Sequence, residues 1–437
     1  MGETIFALAS AAGRAGVAVV RVSGPGAGDC IKHLTKKGIP AARRAVLRAL
    51  YGADGAVIDQ AVVLWFAAPH SLTGEDVAEF QVHGGRAIIE ALAAALSALP
   101  GCRPAEGGEF TRRAVLNGKL DLTQAEAIAD LVAAETEAQR RQALRQYDGA
   151  LSTLYESWRT ELLKTLAWAE ASIDFSDEEL PEGMLADMRH AAEAVRQAIG
   201  AHLNDARRGE LVREGLFLTV IGPPNAGKSS LVNALAGRDV AIVSETAGTT
   251  RDVIEVRLDL GGYAVILADT AGLRAAAEAV EAEGVRRALA RAEAADLVLL
   301  LLDGSDASFA DFLPKDMVKK SLLTVWNKAD LPWPSRRDGL ALSLKTGEGL
   351  EAVIAAIAAK AKERLESAGD APMLTRPRHR QALAEAVDAL GRAMAAQEPE
   401  LFAEDLRLAL RSIGRITGRV DVEDLLDVIF RDFCIGK

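Results

Sequence analysis

The chain has 437 residues, with 51 Lys and Arg against 62 Asp and Glu for a formal net charge of −11; the length predicts about three domains, and the acidity argues against a general nucleic-acid coat while leaving local basic patches able to hold a structured RNA. The residues are 49% hydrophobic, 26% charged and 5% aromatic, and the longest apolar runs, such as LVLLLL at 297–302, are strand-sized and too short to cross a bilayer. Cys30, Cys102 and Cys434 are far apart in sequence and form neither a metal-site pattern nor a disulfide framework; with no charged-then-apolar leader, and Phe6 where a myristoylation motif carries Ser or Thr, the expectation is a cytoplasmic protein with no membrane association.

Residues 1–118 predict a mixed α/β region. GVAVVRVSG (16–24) and AVVLWFAAP (61–69) are β-branched runs bounded by Gly and Pro, so they predict strands. GGRAIIEALAAALSAL (84–99) predicts a helix stopped by Pro100 and Gly101. From Asp121 the apolar residues Leu122, Ala125, Ile128, Ala129, Leu131 and Val132 recur at helical spacing. Helical patterns continue to about residue 208, with a break at DFSDEELPEG (174–183). Strands and helices alternate from Leu211 to about 366, SAGDAPMLTRPR (367–378) is a loop by composition, and 378–430 is helical again. Helical character on both sides of an α/β block predicts a nucleotide-binding domain inserted into a helical one. The expected boundaries are 1–118, 119–210, 211–368 and 369–437.

LFLTVIGPPNAGKSSLVNAL has the order apolar strand, glycine loop, helix. Gly222 and Gly227 let loop amides and the helix N-terminus face phosphate oxygens. Lys228 would reach the β- and γ-phosphates and the Ser229 hydroxyl would bind Mg²⁺; Asn225, Ala226 and Ser230 belong to the same loop. AGTTRD (247–252) stands where a switch loop carries a Thr to the metal, with Thr250 as the candidate. LADTAGL places Asp269 at a strand end beside the Mg²⁺ shell and lets the Gly272 amide meet the γ-phosphate, with Thr270 and Ala271 between them. In VWNKAD, which contains Asn327 and Lys328, Asp330 can accept both donors of the guanine N1–N2 edge. Adenine lacks that pair and would leave the carboxylate unpaired at a cost of ~1–3 kcal/mol or more, which selects GTP. Ser343, Leu344 and Lys345 in LSLKTGEG brace the base. Leu273 follows the DxxG glycine, where many small GTPases carry a water-orienting Gln. The acidic candidates to replace it are Glu278, Glu281 and Glu283, although spacing alone favours reading each as a solvated helix charge. Asn225 is placed to help hold a monovalent cation beside the phosphates.

GPPNAGKSSLVNAL, AGTTRDV, DTAGLR, NKAD and the terminal CIGK, together with GRAGVAVVRVSG, SLTGEDVAEFQVHGG and GGEFTRRAVLNGKLDLTQAEAIADL, resemble the MnmE (TrmE) family of tRNA modification GTPases over essentially the whole chain. The resemblance implies a multidomain α/β-plus-α fold. An α+β domain that binds 5-formyl-tetrahydrofolate and dimerises precedes a helical domain interrupted by a Ras-like P-loop GTPase domain. It also implies GTP and GDP, Mg²⁺ and K⁺ as ligands. Partners implied are a second copy of the chain, the FAD-dependent protein MnmG in a heterotetramer or larger complex, and tRNA, in which the wobble uridine acquires an aminomethyl-type group at C5. By motif, Asn225, Ser244, Thr246 and Thr249 would hold K⁺, Ser229 and Thr250 would hold Mg²⁺, and Glu281 would orient water. Glu245, Ala247 and Gly248 complete the nucleotide-contacting loop, and Arg21, Glu79, Lys119 and Lys437 align with folate contacts. Glu75 and Asp76 are the carboxylates that a shift of one strand face would exchange for Glu79. SLK replaces the family's usual Ser-Ala-Arg or Ser-Ala-Lys triplet.

Cys434 lies three residues from the end of the sequence, near Arg431 and Lys437, which favour a thiolate. It reads as a passive residue, as a poor prenylation box, or as a reactive thiol; the resemblance favours the last. The competing functional class is a regulatory RNA-binding or ribosome-assembly GTPase without covalent chemistry. Arg140, Arg141, Arg145, Arg407, Arg411, Arg415 and Arg419 read equally as a tRNA-facing surface or as solvated helix faces.

Overall fold

The computed structural model describes residues 2–174, 183–238, 240–242, 256–267, 292–293, 295–306, 322–333, 338–366, 372–420, 426, 429–430, 433 and 436. These divide into two compact units: residues 1–129 with 155–160 and 410–437, and residues 130–154 with 161–409.

The first unit carries strands β1 Thr4–Leu8, β2 Ala18–Ser23, β3 Val46–Tyr51, β4 Val57–Phe66, β5 Val77–Val82 and β6 Cys102–Pro104, and helices α1 Ala27–Thr35, α2 Arg86–Ser97, α3 Glu109–Leu116 and α4 Leu122–Ala133, which runs past the unit's edge. Among the described residues the sheet order is β3-β4-β5-β2-β1-β6, antiparallel except where β6 runs parallel to β1. Strict alternation sorts each strand into two faces. Val20, Val22, Val63, Trp65, Phe80 and Val82 point into a core closed by Ile31 and Leu34 of α1 and Leu92 and Leu96 of α2. On the opposite face Phe110 of α3 covers Ile5 and Ala7 of β1. The remainder of that face carries Arg21, Leu64 and Glu79 in direct cross-strand register. Within this unit the last described residues pack back on its helices: Leu426 and Phe430 join Leu122 and Ala125, and Phe433 stacks edge-on against Phe430. Gly107, Gly108 and Gly436 permit this close approach, because a Cβ at each would meet Phe433, Phe430 and the Leu8 carbonyl.

The second unit contains a sheet of order β13-β12-β11-β7-β10-β9-β8 among the described residues. Its strands are β7 Leu216–Ile221, β8 Ala241–Ile242, β9 Val256–Leu260, β10 Tyr263–Leu267, β11 Leu297–Asp303, β12 Leu322–Asn327 and β13 Leu340–Ala341. Strands β13, β12, β11, β7 and β10 run parallel, while β9 pairs antiparallel with both β10 and β8. The unbroken run Leu297–Leu302 becomes the fully buried β11, as a parallel strand covered on both faces requires. The helices are α5 Glu137–Tyr147, α6 Ala150–Asp174, α7 Met184–Leu203, α8 Arg208–Glu214, α9 Lys228–Ala236, α10 Leu350–Leu365, α11 Pro377–Ala395 and α12 Pro399–Thr417; α6 contributes six residues to the first unit and α12 its last turns. Thr136 and Gln139 form a reciprocal cap at the start of α5, and Pro377 opens α11, where a missing amide is tolerated.

Helices from before and after the strand-rich block bind one another. Arg189 of α7 donates to the Met394 and Ala396 carbonyls at the end of α11. Arg380 of α11 pairs with Asp205 and Glu210, and Arg376 with Asp130. Two cysteines that spacing keeps apart are neighbours: Cys30 and Cys102 are free thiols with sulfurs 3.5 Å from each other. Linear separation says nothing about a contact made by packing a helix on a sheet edge.

Candidate functional site

Strand β7 delivers Ile221 to a tight loop, and α9 leaves from it. Gly222 and Gly227 sit where a Cβ would strike the Leu301 carbonyl and the Asn327 side-chain amide, so only hydrogen fits at either position. Asn225 adopts a left-handed backbone at φ 62° between them. The Lys228 ammonium donates to the Gly222 carbonyl at 2.9 Å and the Pro223 carbonyl at 2.8 Å, so it lies over the loop. Burial pushes this lysine down from its ordinary value, so an anion in the loop gains from supplying the countercharge that burial removes. Ser229 and Ser230 are exposed in the first turn of α9. A glycine cradle at the N-terminus of a nine-residue helix, with a desolvated lysine above it and a hydroxyl at its mouth, fits a Mg²⁺-bound phosphate chain.

The segments read as base-binding meet the same loop. The Asn327 amide nitrogen, at the end of β12, donates to the Ala226 carbonyl at 2.8 Å. Its oxygen accepts from the Leu344 amide at 3.2 Å. Ser343 is fully buried and donates to Asp330 at 2.8 Å, which fixes one carboxylate oxygen and leaves the side chain oriented. Lys345 approaches the other oxygen at 3.9 Å and is itself largely exposed. Position 344 engages Asn327 through its main chain, while the leucine side chain packs on the core of the sheet.

Sequence reasoning missed one member of this site. Asp303 ends β11 in register with Asn327, and its carboxylate pairs with the Lys328 ammonium at 2.5 Å. Lys328 holds a left-handed backbone at φ 64°, and its carbonyl accepts from Trp333 at 3.2 Å. Burial opposes ionisation of Asp303, but Lys328 and the hydroxyl and amide of Ser305 outweigh it and hold the carboxyl below its usual range. The signal was an aspartate closing an otherwise wholly apolar strand.

Ser244, Glu245, Thr246, Ala247, Gly248, Thr249, Thr250, Asp269, Thr270, Ala271, Gly272, Glu281, Cys434 and Lys437 lie outside the described residues.

In the first unit Arg21 and Glu79 form an ion pair at 2.9 Å, with the guanidinium 5.8 Å from the Phe110 ring. Lys119 donates to the Pro69 carbonyl and, with Arg43, Leu64, Phe66, His70, Ser71 and Leu72, lines a cavity of about 480 Å³. Leu64 stands directly opposite Glu79, so the three residues picked out by resemblance surround one sheet face. The neighbouring carboxylates are engaged elsewhere: Glu75 by Arg113 and Ser23, and Asp76 by the Ala68 amide. Of the arginines read as a surface, Arg140 and Arg141 pair with Glu137, and Arg407 pairs with Glu170 and Glu404. No helix among the described residues is long and apolar enough to cross a membrane.

A family model described as "GTP-binding protein TrmE N-terminus" matches residues 4–119, and one described as "MnmE helical domain" matches residues 122–434. The "tRNA modification GTPase MnmE" of Paramagnetospirillum magneticum is 56% identical over 443 residues, covering 100% of both chains. That of Parvibaculum lavamentivorans is 55% identical with the same coverage. The human "5-taurinomethyluridine-[tRNA] synthase subunit GTPB3, mitochondrial" is 49% identical, covering 100% of this chain and 94% of that protein. Among solved structures, the G domain of the T. maritima FeoB iron transporter covers 35% of this chain and 99% of its own at 24% identity, with a TM-score of 0.26. A phosphate cradle, an aspartate at 330 braced by Ser343, and identity that runs from end to end place the chain in the MnmE (TrmE) family of tRNA modification GTPases.

Proposed function

We propose that this chain is the GTP-hydrolysing subunit of a cytoplasmic complex that adds a (carboxymethyl)aminomethyl group to C5 of the wobble uridine of certain tRNAs. The observation that carries this reading is end-to-end likeness to tRNA modification GTPases, joined to a pocket built for guanine and phosphate. Residues 211–368 form the GTPase domain within a helical domain made of 119–210 and 369–437. Lys228 and the loop amides bind the phosphates, Asp330 reads the base, and Asn327 ties the two regions together. Ser229 and Thr250 would hold Mg²⁺, which would supply charge neutralisation at the phosphates. Asn225, Ser244, Thr246 and Thr249 would hold K⁺, which would supply the positive charge that an arginine gives elsewhere, and Glu281 orients water in place of the absent glutamine.

Residues 1–118 bind 5-formyl-tetrahydrofolate as the one-carbon source, through Arg21, Glu79 and Lys119 with Lys437, and join two copies of the chain. The sheet face shared by Arg21, Glu79 and the Lys119 cavity supports that assignment. GTP-driven pairing of the G domains works as a conformational driver for the Cys434 centre and for the flavoprotein partner MnmG. Nucleoside mass spectrometry of tRNA from cells lacking this chain tests the reading: the modified wobble uridine should disappear and return with the intact gene. An unchanged uridine profile would favour a ribosome-assembly switch instead. The Cys434→Ser chain should hydrolyse GTP normally yet fail to restore the nucleoside.

A further inference from the structure

The nucleotide and folate readings leave two thiols unused. Cys30 lies in α1 with only 1% of its surface exposed, inside the core between helix and sheet. Cys102 opens the three-residue edge strand β6 and is half-buried. Their sulfurs are 3.5 Å apart across 72 residues of chain. The roles of the two sulfurs differ by access. Burial pushes the Cys30 thiol up, with Cys102 and Asp29 adding to the effect, so it remains a protonated, shielded group. Cys102 is the less buried residue of the two, at the sheet edge.

We propose that Cys30 and Cys102 form a reversible oxidation site, which closes to an intramolecular disulfide when a hydroperoxide reaches Cys102. The Cys102 thiolate attacks one peroxide oxygen; the O–O bond breaks, the other oxygen leaves as water after taking a proton, and Cys102 becomes a sulfenic acid. The Cys30 sulfur then attacks the Cys102 sulfur. The S–S bond forms as the S–O bond breaks, and the departing hydroxide takes the Cys30 proton to leave as a second water. Two thiols and one hydrogen peroxide give one disulfide and two waters, with two electrons passing from sulfur to oxygen. The sulfurs must close by ~1.5 Å to reach bonding distance. Proximity offsets the poor nucleophilicity of a protonated resolving thiol. The product staples α1 to β6 and protects Cys102 from further oxidation.

The test uses the full-length chain, freed of reductant and exposed to a roughly tenfold excess of hydrogen peroxide, then alkylated with N-ethylmaleimide and mapped by peptide mass. The expected product is a linked Cys30–Cys102 peptide pair, lighter by two hydrogens than its parts and separated by dithiothreitol. Oxidation should also raise the unfolding midpoint by ~5–15 °C. In Cys30→Ser, sulfinic acid at Cys102 should exceed the wild-type level by roughly fivefold or more, because the resolving thiol is gone. Equal sulfinic acid in both chains would overturn the proposal, as would a wild-type Cys102 joined to Cys434 or to a second chain. If Cys30→Ser proves unfolded by circular dichroism, the linked peptide of the unsubstituted chain decides alone: its presence supports the site and its absence ends it.

Discussion

Asp303 shows how a single side chain outside the recognised motifs can anchor one inside them, since it pairs with Lys328 of the segment read as base-binding. Lys328 stands in a left-handed backbone, which costs a non-glycine residue ~1 kcal/mol or more, and the Asp303 carboxylate holds its head in place. Asp303→Asn should therefore weaken GDP and GTP by up to roughly 10–150-fold, the worth of one charge-assisted contact, while leaving the preference for GTP over ATP to Asp330. Isothermal titration with both nucleotides checks this, and Asp303→Glu should recover part of the loss. Undiminished affinity would show that Lys328 needs no anchor. Gly222 makes a second residue-scale prediction. Its missing Cβ is the space taken by the Leu301 carbonyl, and backbone cannot step aside as a side chain can. Gly222→Ala should destabilise the second unit by ~2–4 kcal/mol in urea titration and abolish nucleotide binding. The need for glycine at 222 was legible from the motif. The role of Asp303 was not, because it arises from the registry of β11 with β12, which no local pattern reports.

Strand β6 and helix α3 are held together by a ladder of charge. Glu3 and Glu109 both engage Arg103, Glu109 also engages Arg113, and Arg113 reaches Glu75. Burial alone would raise the Glu109 carboxyl, but Arg103, the Glu106 amide and Arg113 outweigh it and bring it to about 2, against 4.5 for a free glutamate. A carboxyl lowered on folding stabilises the native state in full above its unfolded value and loses that contribution as the pH falls toward its folded value. Glu109→Gln should thus be less stable than wild type at about pH 7, with the difference shrinking below about pH 4.5 and closing near pH 2. Chemical denaturation across that range measures it; a gap independent of pH would mean that the charge on Glu109 is immaterial. Strands β2, β4, β7, β11 and β12 were legible from β-branched or apolar runs. The three-residue β6 was not, since it is a strand only by virtue of β1 beside it. The surface arginines illustrate the same limit: spacing puts Arg140 and Arg141 on a helix but does not disclose that both close on Glu137.

At the scale of the molecule, the nucleotide and folate readings fall in different units. A ligand stabilises only the cooperative unit it binds, by about 2.7 kcal/mol at a hundredfold excess over Kd. Differential scanning calorimetry should resolve a transition that GDP with Mg²⁺ moves upward and another that 5-formyl-tetrahydrofolate moves instead. Equal displacement of every transition by either ligand would count against this division of labour. The helical segments on both sides of the strand-rich block were legible as periodicity, and their pairing through Arg376, Arg380 and Arg189 supplies what periodicity lacks. That pairing has a further bearing on the architecture. Gly209, just before the block, rests against the carbonyl of Leu374, just after it, so closely that no methyl group fits between them. The block is moored a second time, where the Ala138 amide donates to the Gly262 carbonyl and Arg257 pairs with Glu135. Excising it would therefore leave two wounds to close, one at the backbone crossing and one along the start of α5.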